Sequence, residues 1–405
     1  MSSVKERFLK YVQVETTSCE ANGTCPSTPG QKELGRLLVS DLQELGITDA
    51  RMDEHGYVYA SIPAKGVEPR PAIGLIAHMD TSDAVPGATC PQIIPSYDGG
   101  TIRLRNGVEI SGFDFLPGLK GQELIVTSGD SVLGADDKAG VAEIMTAVKY
   151  MLDHPEFEHG DVYAAFTPDE EIGRGTENFE KEKFPCDYAY TMDGDAVGGV
   201  EYECFNAASL NITVTGYSIH PGSAKNKMIN AMNIAHEYHS LLPKEMRPEH
   251  TEGREGFFHL DEMSGTVEEA KLGYIIRDHD YAKFMRMKKM ALDAAEFINT
   301  KYGKKLVQAK IKDSYRNMAD CFSDKMYIAE IAKEAWEECG VTPVSVPIRG
   351  GTDGASLTFM GIPCPNMGTG GGNFHGRFEY CCIDDMDVAV NAILKIVEKT
   401  AKRVK

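Results

Sequence analysis

The run AAFTPDEEIGRG, from Ala164 to Gly175, sets Asp169, Glu170 and Glu171 side by side, directly after an apolar stretch that reads as a buried strand. Adjacent carboxylates repel and raise one another's pKa, so the arrangement calls for a compensating positive charge or a use for the repulsion. Acids and histidines stand at comparable places elsewhere. LIAHMDT carries His78 and Asp80, LGADDKAG carries Asp136 and Asp137, YTMDGD carries Asp193 and Asp195, and the glycine-rich GGGNFHG carries His375. Each has an ordinary alternative: Asp136 and Asp137 cap a helix, His78 is a satisfied histidine near a core, Asp193 starts a turn, and Glu170 and Glu171 sit in a solvated loop. Those alternatives would all have to hold at once, crowding charge onto one rim of a sheet by coincidence.

Two divalent cations resolve the repulsion, because a bound ion is the largest local charge and inverts the pKa logic around it. Imidazole with carboxylate suits zinc, with cobalt or manganese as alternatives. If His78, Asp136, Glu171, Asp193 and His375 are the ligands, three carboxylates face two dications, and a bridging hydroxide would neutralise the remaining charge. One aspartate must then span both ions, and Asp136, at a helix start, is the choice. Residues two apart at a strand end face the same way, so Asp80 reaches the other ring nitrogen of His78 and fixes its tautomer. Neighbours in extended chain point oppositely. Glu171 is therefore read as a ligand and Glu170 as the free general base.

The elements that must position these groups are those of an α/β fold with a mostly parallel sheet, since short β-like runs alternate with amphipathic helical ones. Strands are expected in PAIGLIA, DVYAAF and CDYAYTM, each ending in polar residues, and ligands bind beyond the carboxyl ends of such strands. The spacing predicts one helix in STPGQKELGRLLVSDLQELG and another from about Lys138. Between about Leu210 and Met318 the order becomes β-α-β-β-α-β, the ferredoxin-like split arrangement, which reads as an inserted lid domain. The expected division is 1–208 and 319–405 for a catalytic domain and 209–318 for the insert. A helix near Tyr327 to Cys339, strands near PVSVPI and GIPCPNM, and a final helix from about Asp385 to Lys399 complete the reading.

A formal charge of -19 over 405 residues argues against nucleic acid or an anionic membrane as partner. The N-terminal run lacks a signal peptide's apolar core, and the ten cysteines form no CxxC pair, so reduced thiols in a cytoplasm are expected. Cys381 and Cys382 read as packing residues. GTGGGNFHG lacks the Lys-Ser/Thr ending of a phosphate loop, and His236 and His239 have no carboxylate companions that suggest a metal site.

HMDT, GADDKAG, TPDEEIGRG, TMDG and NFHG, in this order, resemble the two-metal zinc peptidases that include aminoacylase and glutamate carboxypeptidase. PSTPGQ, LGADDKAGVAEIMTA, AFTPDEE, HPGSAKN, YIIRD and PIRGGTDGASLTFMG are similar to the tripeptide aminopeptidases of that family, and the likeness spans essentially the whole chain. It implies two zinc ions per subunit, small peptides as partners, and removal of the N-terminal residue from tripeptides by a cytoplasmic enzyme. Position by position, it implies His78, Asp136, Glu171, Asp193 and His375 as metal ligands, Glu170 as general base and Asp80 as the residue orienting a histidine. Asp195 departs from the pattern, standing where glycine is expected, and competes with Asp193 for the ion. The resemblance also raises His220, otherwise a turn residue before Pro221, to a donor to the oxyanion once the insert closes. Arg277 and Arg349 are candidates to clasp the peptide's C-terminal carboxylate and so select for length, with Asp278 or Asp280 as the alternative partners of Arg277. A homodimer through the insert, a related dipeptidase or carboxypeptidase, and a non-catalytic peptide-binding protein stand as further readings.

Overall fold

The computed structural model describes residues 3–66 and 70–403, which divide into two compact units. The first comprises residues up to Tyr202 with Cys321–Val346 and the chain from Thr352 onward; the second is Glu203–Asp320 with Pro347–Gly351. The expected start of the insert, residue 209, falls inside the strand Asn206–Thr215.

The first unit is built on a seven-stranded sheet in the order Arg51–Met52, Val58–Ile62, Val162–Thr167, Ile73–His78, Tyr188–Gly194, Asn366–Gly368, Val200–Glu201. The central pairings are parallel, with His78 opposite Thr167 and Ile76 opposite Thr191, and both edges are antiparallel. Every residue of Ile73–His78 is buried, which explains why this strand is a continuous apolar run rather than an alternating one. The helix Pro29–Glu44 starts with proline in its first turn and buries Leu34, Leu38 and Leu42. The helix Ala135–Asp153 buries Val141, Ile144, Met145, Val148 and Met151. It begins three residues before the expected Lys138, with non-helical angles at Asp136 and Asp137 and a cis peptide between them.

PVSVPI forms no strand. Val344 and Ile348 make isolated bridges to Gly199 and Cys204, and Val344 and Val346 are exposed. Pro343 and Pro347 bring no N–H, so a continuous ladder cannot form. In GIPCPNM only the end joins the sheet, as Asn366–Gly368. A second sheet, Gly371–Gly372, Tyr380–Cys382, Leu124–Val126 and Gln92–Ile94, carries Cys381 and Cys382 as buried free thiols.

The second unit is a four-stranded antiparallel sheet in the order Phe257–Gly265, Glu269–Asp278, Asn206–Thr215, Val307–Tyr315. With the helices Ala231–Leu241 and Tyr281–Tyr302 this is the ferredoxin-like order. Leu210, Ile212 and Val214 of the sheet and Ile234, Phe284 and Ile298 of the helices share one core. Among the described residues no helix is long and apolar enough to cross a membrane.

Candidate active site

Three neighbouring parallel strands deliver their carboxyl ends to one place. His78 is the last residue of its strand, Asp193 lies near the end of Tyr188–Gly194, and Val162–Thr167 runs directly into Asp169, Glu170 and Glu171. Asp136 enters from the broken first turn of Ala135–Asp153, and His375 from the loop between Gly371–Gly372 and Tyr380–Cys382. Asp169, Asn373 and His375 all have left-handed backbone, with φ of 59°, 56° and 55°. Such angles are uncommon away from glycine and cluster where surroundings enforce them.

Asp136 stands between the two histidines. Its Oδ1 is 2.8 Å from His78 Nε2 and its Oδ2 is 3.1 Å from His375 Nε2. Asp193 Oδ1 lies 3.4 Å from His78 Nε2, and Glu171 Oε2 lies 2.9 Å from His375 Nε2. His78, Asp136, Glu171, Asp193 and His375 are thus brought together around two adjacent positions. Asp80 is fully buried, with its carbonyl oxygen 3.1 Å and its Oδ1 3.4 Å from His78 Nδ1. Its two carboxylate oxygens also accept the backbone N–H of Glu170 and of Glu171, at 2.9 and 3.1 Å. Asp193 rather than Asp195 meets His78; Asp195 is held through its backbone carbonyl by the N–H groups of Thr369 and Gly370.

Burial drives Glu170 well above the usual carboxylate range, with the charge of Asp193 adding to it. Burial likewise lifts Asp193 to about 7 and raises Glu171. Burial would raise Asp136 too, but its hydrogen bonds to His375 and His78 outweigh that and hold it below its ordinary value. The same bonds, to Asp136 and Glu171, push His375 up to about 11. At His78 burial works downward and is overcome by the Asp193 charge and the Asp136 hydrogen bond. The site is short of positive charge.

The donor set fits divalent metal. His78, Asp136 and Glu171 offer ligand atoms within 4.8 Å of one another, as do His78, Asp137 and Asp193. Among the described residues Glu171 Oε1 is buried without a hydrogen-bond partner, an orphan that a cation would satisfy.

Two supporting acids have no catalytic or metal-binding part in the sequence reading. Glu379, almost fully buried, accepts the backbone N–H groups of Leu133, Gly134 and Asp136 at 2.6, 3.0 and 3.0 Å, tying down the turn that presents Asp136. Asp137 accepts the N–H of His78 at 3.1 Å and of Gly140 at 3.2 Å. Glu379 lies more than two hundred residues from its partners, and no local pattern announces it.

In the second unit, His220 is exposed and its Nδ1 accepts the N–H of Gly222 at 3.1 Å, which makes Nε2 the protonated nitrogen. Arg277 donates from Nη1 to the Arg349 carbonyl at 2.9 Å, lies over the rings of Phe257 and Tyr315, and keeps Nε buried without a partner. Its alternative partners are engaged elsewhere: Asp278 accepts the N–H of Asp280, and Asp280 accepts that of Lys283. Arg349 differs from the expectation. Its fork is spent on the chain, with Nη1 on the carbonyls of Gly253 and Glu255 at 2.7 and 3.1 Å and Nη2 on Thr251 Oγ1 at 3.0 Å.

A sheet-end cluster of this kind suits divalent metal, and the comparisons make the chain a hydrolase: residues 134–399 match peptidase family M20/M25/M40, to which the chain belongs. Its full-length relatives carry the name Peptidase T. That of Clostridium acetobutylicum is 51% identical over 100% of both chains, and that of Caldanaerobacter subterraneus subsp. tengcongensis is also 51% identical with the same coverage. Among solved structures, the aminopeptidase PepT of Bacillus cereus has a TM-score of 0.77 at 23% identity and covers 98% of each chain. A tripeptidase from Staphylococcus aureus has a TM-score of 0.80 at 21% identity, covering 99% of this chain and 98% of its own. The dinuclear metal-binding peptidase YXEP of Bacillus subtilis has a TM-score of 0.67 at 16% identity, covering 99% and 98%. At those identities the structures share the fold.

Proposed function

We propose that the protein is a two-metal aminopeptidase of the cytoplasm that removes the N-terminal residue from tripeptides. The observation that carries the reading is Asp136, with one carboxylate oxygen facing each of two imidazoles and a second carboxylate beside each, Asp193 and Glu171. The Peptidase T relatives at 51% identity support a peptide as substrate. His78, Asp136 and Asp193 would hold one ion and Asp136, Glu171 and His375 the other, with zinc the best match to the donors and cobalt or manganese as alternatives. When bound, such ions would polarise the attacked carbonyl and acidify the attacking water.

The remaining steps belong to side chains. Glu170 takes the proton of the attacking water on a carboxylate oxygen and returns it to the amine nitrogen as the C–N bond breaks. Burial among other acids raises its basicity for that task. Asp80 keeps the proton of His78 on Nδ1, leaving Nε2 as the ligand atom. His220, whose Nδ1 is taken by the Gly222 N–H so that Nε2 carries the proton, is the donor to the oxyanion. Arg277, with spare donors, receives the C-terminal carboxylate, and the Arg349 carbonyl helps to aim it.

The test is one assay on di-, tri- and tetrapeptides with free or blocked ends, with and without chelator, identifying the released residue. Release of the first residue from tripeptides with a free amino end, lost with chelator and restored by zinc, is the expected result. Release from the carboxyl end, or equal cleavage of all lengths, would overturn the reading.

A further inference from the structure

PSTPGQ lies outside the metal cluster, yet it packs directly on the acid that precedes Glu170. Asp169 is fully buried, and among the described residues its carboxylate forms no ion pair. Instead it accepts the backbone N–H of Ser27 at 3.0 and 2.7 Å, the Ser27 hydroxyl, and the Gln31 side-chain amide at 2.7 Å. Gln31 closes the pair from the other side, because its Oε1 accepts the backbone N–H of Asp169 at 3.0 Å. Gln31 is itself fully buried and also donates to the Ser27 and Thr28 hydroxyls.

The consequence is local. Asp169 has a φ of 59°, a conformation that L side chains rarely adopt, so an external restraint has to hold it. Gln31 fixes its N–H, and Asp80 fixes the N–H groups of Glu170 and Glu171. The carbonyls are held as well, Asp169 by Arg174 N–H at 2.9 Å and Glu170 by Gly173 N–H at 2.7 Å. Every peptide N–H from 169 to 171 therefore has a buried acceptor, and the first of these comes from the start of a helix more than a hundred residues away.

We propose that Ser27, Gln31 and Asp169 form a positioning clamp for the general base: they set the backbone from which Glu170 projects, without touching substrate or metal. The proposal rests on the reading of Glu170 as the base. A base displaced by an ångström loses turnover far more than binding. Loss of the clamp therefore lowers kcat and leaves KM near its original value.

The experiment compares Gln31→Ala, Ser27→Ala and Ser27→Thr with the unaltered, metal-loaded enzyme. It reads kcat, KM, bound metal, Tm and amide exchange at residues 169–171. Gln31→Ala and Ser27→Ala should cut kcat about tenfold or more with KM within about twofold, keep the full metal complement, and speed exchange at 169–171. Ser27→Thr, which retains the hydroxyl, should recover most of the loss. Unchanged kcat in both alanine variants, or a fall that only tracks lost metal or lost folded protein, would overturn the clamp. If Gln31→Ala does not fold, the Ser27 pair decides alone. Glu170→Gln in the same assay separates the two ideas. Full turnover there removes the base assignment, whereas loss there with unaffected alanine variants removes the clamp.

Discussion

The Asp80 carboxylate accepts the backbone N–H of Glu170 at 2.9 Å while lying 3.4 Å from the imidazole of His78. One buried acid thus couples His78, the proposed ligand, to Glu170, the proposed base. Asp80→Asn preserves shape but leaves one acceptor oxygen for the N–H groups of Glu170 and Glu171 and removes the negative charge beside His78 Nδ1, which keeps only the Asp80 backbone carbonyl, at 3.1 Å, as a full-strength acceptor. Metal affinity is expected to fall about 10- to 100-fold, with kcat falling even at saturating metal. Metal titration followed by kinetics on the saturated enzyme checks both parts; unaltered affinity would remove Asp80 from the role.

Glu170→Gln should retain its metals and lose turnover by roughly 10²- to 10⁴-fold, since it removes proton transfer and little else. Metal analysis beside steady-state kinetics gives the answer. Near-normal kcat would contradict the assignment.

Arg277→Met tests length selection. Losing charge-assisted hydrogen bonds of about 1.5–3 kcal/mol corresponds to roughly ten- to a hundredfold in KM for tripeptides with a free carboxylate. C-terminally amidated tripeptides should be bound equally by both forms. A matching loss on the amide would show that Arg277 acts on the fold instead.

Chelated protein should lose stability as pH rises from about 5 to 8. Burial lifts Asp193 and Glu379 to about 7 in the folded state, so between their ordinary carboxylate values and 7 the folded chain binds more protons than the unfolded one. Stability then declines through that interval. The raised His78 and His375 act in the same direction, losing their contribution as pH climbs towards their folded values. Asp136, held below its ordinary value, affects only the acid side. Thermal melts of chelated and reloaded protein across this range should diverge with increasing pH; parallel curves would contradict the argument.

The sequence carried the cluster because chemistry there follows local rules. An apolar run that stops at His78, or at Thr167 before three acids, marks a strand end whatever surrounds it. The ferredoxin-like unit was legible for the same reason, its strands alternating and its helices showing one apolar side. What could not be read depends on distant partners. Glu379 looks like any charged residue before an apolar pair, and its meaning comes from three N–H groups of the Asp136 turn. Arg349 invites a ligand by its type, and only the carbonyls of the 251–255 segment reveal that its donors are used. PVSVPI misleads because valines signal a strand while its prolines deny the ladder.

The account turns on two cations sharing Asp136. Metal analysis of the active enzyme, combined with anomalous diffraction from a zinc-loaded crystal, should give two ions per chain, one beside His78 and Asp193 and one beside Glu171 and His375, each in contact with Asp136. Full peptidase activity in chain stripped of metal, or a single ion that leaves His375 and Glu171 without one, would contradict it.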